Sequence, residues 1–158
     1  MGVTRVGLGV DAHRLAPGRP LMLGTLHVQH DQGLVGHSDG DVVAHAVCDA
    51  VLAAAGGPDI GALFPPGDPE WAGAAGSRLL GVVAARVAAA GGRVVNVHAV
   101  VVCERPRLAP YRLAMEAAMS ALLDAPVSVH ATTTDGMGFT GRGEGIACQA
   151  VALVEVSQ

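Results

Sequence analysis

The stretch G-H-S-D-G-D-V-V-A-H at residues 36–45 decides the fold, because it combines a glycine-flanked turn with the start of a helix. Apolar residues then recur with a period of about 3.6 up to residue 54, and this pattern predicts one buried helical face. Ser38 or Asp39 can cap the helix, and Asp41 follows Ser38 at the capping-box spacing. Two glycines and a proline after Ala55 predict where the helix ends.

A polar stripe runs along this predicted helix, since Asp41, His45 and Asp49 lie four residues apart and share one face. A polar stripe that begins at a glycine-flanked turn is better suited to a site than to a core. His45 is therefore a candidate metal ligand. The pattern leaves one alternative open, a histidine that only hydrogen-bonds to Asp41 or Asp49.

Two further candidate ligands stand at the end of the first predicted strand, residues 3–13. Asp11 and His13 are two residues apart, so both side chains point to the same side of the strand. With His45 they supply one carboxylate and two imidazoles, a set that suits a zinc ion with an open fourth position. An ion pair at the strand end is the alternative interpretation.

The composition fits one domain, residues 1–158, with a core of small aliphatic side chains. Hydrophobic residues make up 51% of the chain and aromatic residues only 3%, so valine, alanine, leucine and isoleucine must fill the core. A net charge of -4 without a lysine or arginine run argues against a nucleic-acid partner. No apolar run reaches about 18 residues, so no membrane span is expected. We expect a cytoplasmic protein, because regular structure starts too early for a targeting peptide and three widely spaced cysteines suit free thiols.

The order of the predicted elements indicates a mixed α/β (α+β) fold with a single-layer β-sheet and helices on one face. The last strand carries apolar side chains on both faces, and no helix remains to cover the second face. Association of subunits through that face would cover it. Ser77 can cap the second helix. The further predicted elements are a hairpin at 20–28, a turn or short helix at 59–65, a loop at 65–76, helices at 77–90 and 110–124, and strands at 94–103, 127–132 and 146–156.

A second concentration of polar residues lies at 132–145, T-T-T-D-G-M-G-F-T-G-R-G-E-G. Hydroxyls and free backbone N–H groups suit phosphate oxygens, and the carboxylate suits a hard divalent cation that also touches phosphate. An ordinary glycine-rich loop between strands is the alternative. The length of the loop favours a functional role.

Five blocks stand in order between Val6 and Leu153: G-L-G-V-D-A-H, G-H-S-D-G-D-V-V-A-H-A-V-C-D-A, D-I-G-A-L-F-P, P-R-L-A-P and A-T-T-T-D-G-M-G-F-T-G-R-G-E-G-I-A-C-Q-A-V-A-L. Together they resemble the 2-C-methyl-D-erythritol 2,4-cyclodiphosphate synthase family. The resemblance implies a homotrimer with active sites between neighbouring subunits. It also implies conversion of 4-diphosphocytidyl-2-C-methyl-D-erythritol 2-phosphate into the cyclic diphosphate and CMP, in the non-mevalonate route to isoprenoids.

The resemblance implies a role for individual residues. Asp11, His13 and His45 would be zinc ligands, and Asp135 would help hold a second ion, magnesium or manganese. His37 and Thr133 would be catalytic and would donate to phosphoryl oxygens in the transition state. The implied substrate-binding residues of one subunit are Asp11, Ala12, His13, His37, Ser38, Asp59, Ile60, Gly61, Phe64 and Asp68, and Phe64 to Asp68 would form a flap. Those of the neighbouring subunit are Cys103, Arg107, Leu108, Ala109, Thr132, Thr133, Thr134 and Asp135. Phe139 and Arg142 would also bind substrate and would face the trimer axis, where a prenyl diphosphate has been proposed to sit.

The chemistry of such a reaction suits the residues present. A substrate phosphate is the nucleophile and is largely ionised near neutral pH, so no serine, cysteine or general base is required. Two cations and positioning contacts would relieve the repulsion between anionic groups and align the attack. A good orientation is worth ~7–11 kcal/mol in the most favourable intramolecular cases. Asp135, Arg107 and Pro66 depart from the family pattern, in which glutamate, lysine and an acid are common at these positions.

Two other classes of protein would use some of the same residues. A trimeric binding module could sense an isoprenoid diphosphate through Arg142 and a central cavity, although it would not need Asp11, His13, His45 and Asp135 together. A zinc hydrolase would release an open-chain product in place of a ring.

Overall fold

The computed structural model describes residues 2–157, which form one five-stranded sheet, a separate two-stranded hairpin and a set of helices. The strands are β1 (Gly2–Pro17), β2 (Leu21–Leu23), β3 (Leu26–Val28), β4 (Gln32–Leu34), β5 (Arg93–Val102), β6 (Val127–Thr132) and β7 (Gly145–Ser157). The helices are α1 (Val42–Ala55), α2 (Ile60–Leu63), α3 (Gly76–Ala89), α4 (Arg112–Leu123) and α5 (Gly138–Gly141), with 3-10 turns at Pro69–Trp71 and Ala109–Tyr111.

The sheet has the strand order β4-β1-β7-β5-β6. Its neighbouring strands are antiparallel except for β5 and β6, which run parallel and are joined through α4. Because α4 makes the crossover between two parallel neighbours, it packs beside β6 and helps bury one face of the sheet. The mixed α/β class predicted from the sequence is confirmed.

Helix α1 lies directly against β1, backbone to backbone. A Cβ atom added at Gly9 would stand 1.9 Å from the carbonyl oxygen of Ala46, and one added at Gly7 would stand 2.1 Å from that of Ala50. Only glycine allows this separation, since any side chain would force the helix away from the strand. The contact places the first turns of α1 over the middle of β1.

The other face of the sheet is apolar and has no helix on it. Val6 and Leu8 of β1 are 69% and 61% exposed, and Val10 and Val151 on the same face are also exposed. Leu8 pairs with Val151 across β1 and β7, so these side chains form one continuous patch. The alternate positions of β7 are buried on the helix side, as the sequence predicted.

Two details of helix capping differ from the sequence prediction. Asp41, and not Ser38 or Asp39, is the N-cap of α1, and its carboxylate accepts a hydrogen bond from the Ala44 amide at 3.0 Å. Asp41 also accepts from the amides of the turn between β2 and β3, a long-range contact that local spacing does not reveal. Helix α3 begins at Gly76 without a side-chain cap, so Ser77 does not cap it.

The two predicted loops each contain a short helical turn, Pro69–Trp71 in the first and α5 in the second. The three cysteines are buried and free. Within residues 2–157, none of the helices combines the length and apolarity that crossing a membrane requires.

Candidate functional site

Three side chains from β1 and α1 converge on the helix side of the sheet. Asp11 Oδ2 lies 2.8 Å from His13 Nε2 and 3.1 Å from His45 Nδ1. The two imidazole nitrogens are 3.1 Å apart, and the three ligand atoms all lie within 4.8 Å of one another. Asp11 and His13 do not end the strand, since β1 continues to Pro17, but they share a face as predicted. His45 bonds to Asp11 and Ser38, while Asp49 accepts from the Ile60 amide.

In each imidazole, the nitrogen that does not face the cluster is near a hydrogen-bond partner. His13 Nδ1 donates to the carbonyl oxygen of Val35 at 2.8 Å. A carbonyl can only accept, so the neutral His13 ring carries its proton on Nδ1 and turns the lone pair of Nε2 toward the cluster. His45 Nε2 lies 2.9 Å from the hydroxyl oxygen of Ser38. Such outer contacts orient metal ligands in proteins.

The charges of the cluster favour a cation. Burial alone would raise the pKa of Asp11, but the hydrogen bonds from His13 and His45 outweigh it and lower that pKa to about 2. Burial alone would lower the pKa of His13, but the hydrogen bond and the charge of Asp11 raise it above its ordinary value. The carboxylate is therefore ionised at neutral pH and supplies a negative charge to the cluster.

The donor set fits a divalent metal ion. One carboxylate oxygen and two imidazole nitrogens are ligands that zinc accepts, and three protein ligands leave a fourth position for a substrate oxygen. Asp11, His13 and His45 would hold the ion. No other group of three or more histidine, cysteine or acidic residues in the described part of the chain has this convergence.

The cluster opens into a cleft of about 190 Å³. The polar side of the cleft holds the three ligand residues together with His37 and Ser38. The rest of the lining is apolar. It is formed by Ile60, Gly61, Phe64, Pro66, Trp71 and Leu79. A lining with both polar residues and an apolar wall suits a small ligand that has both anionic and hydrocarbon parts.

Aromatic contacts hold the segment that closes this apolar wall. The rings of Phe64 and Trp71 meet edge to face with centroids 4.6 Å apart, and the guanidinium of Arg78 lies 4.4 Å from the Trp71 ring centre. His37 donates from Nε2 to the carbonyl oxygen of Asp68 at 3.1 Å, which ties the segment to the polar wall. The predicted flap is therefore attached to the cleft on both sides.

Two of the predicted substrate residues serve the backbone in this structure. Asp59 caps α2 by accepting from the Ala62 amide, and Asp68 caps the next turn by accepting from the Glu70 amide. Neither is among the residues that line the cleft. Asp49 holds the start of α2 through the Ile60 amide at 2.8 Å.

A second concavity lies beyond the carboxyl ends of β5 and β6. The parallel pairing of these strands brings the loop after β5 beside the end of β6, and the Cys103 amide donates to the Thr132 carbonyl oxygen at 2.9 Å. Arg107 and Thr133 line this concavity, and an adjoining pocket is formed by Cys103, Leu108, Ala109 and Thr132. The predicted nucleotide residues thus come together, apart from the metal-ligand cluster of the same chain.

The loop after β6 is held by its own side chains. Thr133 Oγ1 lies 3.3 Å from Asp135 Oδ1, and Asp135 has a left-handed backbone with a φ of 52°. Thr134 donates to the carbonyl oxygen of Met137 at 2.6 Å, so its hydroxyl is occupied within the loop. Asp135 belongs to no cluster of three ligand residues within 2–157, so a second ion there would need oxygen atoms from a ligand.

Ala12 and Phe139 lie in a third concavity, together with Arg14 and Glu144. Ala12 points to the open face of the sheet, away from the helix-side cleft, because neighbouring residues of a strand alternate in direction. Arg142 pairs with Glu144 at 3.3 Å close by.

Several residues of these sites were not predicted from the sequence. Trp71 and Leu79 line the first cleft, and His30 lines the second concavity. The position of Trp71 offers one signal, since it is the only tryptophan of the chain and lies in a loop otherwise made of proline, glycine, alanine and two acids.

The fold and the site together define a class of protein: a mixed α/β structure in which an Asp/His/His set suited to a metal ion opens into a cleft of small-molecule size. The profile of the YgbB family matches residues 4–155, and the chain belongs to this family. The resemblance that the sequence blocks carry is thereby confirmed.

Relatives of known name cover nearly the whole chain. A 2-C-methyl-D-erythritol 2,4-cyclodiphosphate synthase of Cutibacterium acnes is 54% identical over 95% of this chain and 90% of that protein. The bifunctional enzyme IspD/IspF of Caulobacter vibrioides is 51% identical over 97% of this chain, which spans only 41% of that protein. A solved 2C-methyl-D-erythritol-2,4-cyclodiphosphate synthase in a CDP-bound form has a TM-score of 0.86 at 36% identity, over 95% of this chain and 99% of that one.

Proposed function

We propose that this chain converts 4-diphosphocytidyl-2-C-methyl-D-erythritol 2-phosphate into 2-C-methyl-D-erythritol 2,4-cyclodiphosphate and CMP, as a phosphorus–oxygen lyase of isoprenoid biosynthesis. The observation that supports this most directly is the convergence of Asp11, His13 and His45 in a cleft that also holds His37 and Ser38. The named synthase relatives support the same reaction.

The residues of the cleft would bind and orient the substrate. Zinc at Asp11, His13 and His45, with magnesium or manganese near Asp135, would supply positive charge that offsets the repulsion between the phosphoryl groups. The apolar wall would receive the carbon chain of the erythritol. The chain itself needs no nucleophile, because the attacking phosphate oxygen is already ionised.

His37 would donate to a phosphoryl oxygen, and its present contact sets a condition on that role. The neutral ring has one proton, and Nε2 already donates it to the Asp68 carbonyl oxygen. Donation to the substrate therefore requires either a protonated ring, which donates from Nδ1, or release of the Asp68 contact. Thr133 would donate in the same way from the other half of the site, on release of its contact with Asp135.

We propose that a homotrimer assembles this site from neighbouring subunits. In one chain the cluster at Asp11 and the nucleotide residues from Cys103 to Ala109 line separate concavities. A second copy, packed on the apolar face that exposes Val6 and Leu8, would bring its nucleotide residues to the first copy's cleft. Phe139 and Arg142 would then face the trimer axis and would be positioned for a prenyl diphosphate.

We expect one synthase domain over residues 1–158, working in the cytoplasm. Three free, buried thiols support a reducing compartment.

Incubation of the purified protein with the cytidyl substrate, zinc and magnesium tests the reaction. The expected products are CMP, measured by chromatography, and a cyclic diphosphate, identified by phosphorus NMR. Release of an open-chain product would indicate a zinc hydrolase, and absence of CMP would favour a diphosphate-sensing module.

The variant His45→Ala tests the metal centre. We expect loss of bound zinc, measured by elemental analysis, and of nearly all turnover, because only two ligands remain. The exposed His27 is a matched control, since its replacement by alanine removes an imidazole outside the site. Normal zinc content in His45→Ala would contradict the ligand role.

The variant Asp135→Ala tests the second ion. We expect a magnesium requirement raised roughly 10-fold or more, because one charged ligand is lost. Asp124→Asn, at the end of α4, is the control with the same loss of one charge. An unchanged magnesium titration would contradict the role of Asp135.

The variant Leu8→Glu tests the assembly. A charge in the apolar sheet face should give monomers in sedimentation analysis and abolish turnover. Leu113→Glu is the matched control, because Leu113 is 67% exposed on α4, similar to Leu8. A trimer that survives Leu8→Glu would refute assembly through this face.

A further inference from the structure

The hydroxyl of Ser38 lies between the metal-ligand cluster and the cleft. Its oxygen is 2.9 Å from His45 Nε2, on the side of the ring opposite the ligand atom Nδ1. Both residues are buried, with 6% of His45 and 8% of Ser38 exposed. Water is therefore a poor substitute for this contact, and the ring depends on Ser38 for its second hydrogen bond.

The two histidines of the cluster are held by different kinds of group. His13 Nδ1 faces the carbonyl oxygen of Val35, which only accepts, so its tautomer is the same with or without a metal. His45 Nε2 faces a hydroxyl, which either donates or accepts. The direction of this second hydrogen bond is consequently free to follow the state of the ring.

A metal ion at His45 Nδ1 fixes that direction. The metal takes the lone pair of Nδ1, so the proton of the neutral ring must be on Nε2. Nε2 then donates to Ser38, and the hydroxyl can no longer donate to the ring. Since Ser38 also lines the cleft, its proton becomes available to an acceptor there.

We propose that Ser38 is a positioning residue that holds His45 in its metal-binding tautomer and, once metal is bound, turns its own hydroxyl toward an anionic oxygen in the cleft. The first half concerns the metal alone and does not depend on the reaction. The second half rests on the proposed function, because a phosphoryl oxygen of the substrate is the acceptor.

Zinc affinity of the metal-free full-length protein, measured by competition with a chelator, tests the first half. Ser38→Ala should bind zinc about 10- to 100-fold more weakly, because a buried Nε2–H group is left without an acceptor. Ser38→Thr keeps the hydroxyl and should restore the affinity to within a few-fold. His37→Ala is the matched control, since His37 lines the same cleft but bonds to Asp68 and to no metal ligand.

Two results would overturn this role. The first is an equal zinc affinity for Ser38→Ala and the wild type. The second is a loss that Ser38→Thr does not repair, which would assign the effect to packing. Nitrogen-15 NMR of the zinc-loaded wild type gives an answer without any variant: we expect a proton on Nε2 of His45, and a proton on Nδ1 would refute the proposal.

Binding of CDP with and without zinc tests the second half. Zinc should tighten CDP binding in the wild type by a larger factor than in Ser38→Ala, compared at zinc concentrations that saturate each protein. Equal factors would refute the switch in donor direction. These measurements use no turnover, so a failure to release CMP would count against the proposed function and leave the role of Ser38 to be judged by zinc affinity.

Discussion

A methyl group added at Gly9 tests whether the backbone contact between β1 and α1 holds the metal ligands together. In Gly9→Ala, the new Cβ would stand 1.9 Å from the Ala46 carbonyl oxygen, which belongs to the residue after His45. Ordinary contact begins at about 3.4 Å, so α1 must move by about 1.5 Å relative to β1. Asp11 and His13 stay with the strand while His45 moves with the helix.

The size of this shift decides the outcome. Metal-ligand distances tolerate changes of only about 0.2 Å, so a displacement of about 1.5 Å takes His45 out of the ligand set unless its side chain compensates. We expect zinc affinity to fall roughly 10-fold or more. Overpacking typically costs about 1–3 kcal/mol, which at roughly 2–4 °C per kcal/mol lowers the Tm by roughly 2–12 °C.

The assay compares Gly9→Ala with Gly81→Ala at one protein concentration. Gly81 lies in α3, and a Cβ there would meet no atom within 4 Å. That variant should keep its zinc affinity and gain about 0.5–1 kcal/mol from helix propensity. Zinc affinity in Gly9→Ala equal to that of the wild type would refute the reasoning, whatever the change in Tm.

Three further predictions concern single side chains. Burial raises the pKa of Cys103 to about 11. Iodoacetamide should therefore alkylate Cys103 roughly 100-fold more slowly in the native protein than in urea at pH 8, as measured by mass spectrometry. Similar alkylation rates would contradict the burial of this thiol. Phe64→Ala removes a ring contact worth about 0.5–1.5 kcal/mol and should shift the emission of Trp71, the only tryptophan, to the red; an unchanged spectrum would contradict the contact. In the metal-free protein, the pKa of Asp11 is lowered to about 2. Its ionised form therefore adds about 2 kcal/mol to the free energy of unfolding above pH ~4, and this contribution is lost as pH falls through 2. Asp11→Asn should flatten the dependence of the unfolding free energy on pH in this range, and an unchanged slope would count against the pKa shift.

Local patterns were sufficient to predict most of the fold. The period of α1 and the glycine at its end are properties of consecutive residues, and the helix lies at Val42–Ala55 as expected. The prediction of the capping residue was wrong, because several polar side chains precede the helix. Asp41 is selected by the amides of Gly24 and Thr25, which lie 17 and 16 residues away, and no local rule contains that contact.

The metal-ligand cluster was predictable for a similar reason. Asp11 and His13 share a face by strand alternation, and His45 lies on a polar stripe at the start of an otherwise apolar helix. Ser38 and Trp71 show the limit of this approach. The sequence indicates neither the hydrogen bond of Ser38 to His45 nor the edge-to-face contact of Trp71 with Phe64, because both depend on how the segments pack together.

The bare face of the sheet has a consequence for handling the protein. Val6, Leu8 and Val10 lie at alternate positions of β1 on one face, and no other part of residues 2–157 of the same chain covers them. If copies cover this face for one another, mass action links folding to how much protein is present. Dilution would then lower the stability of the fold, and a melting temperature would have to be reported together with the protein concentration at which it was measured.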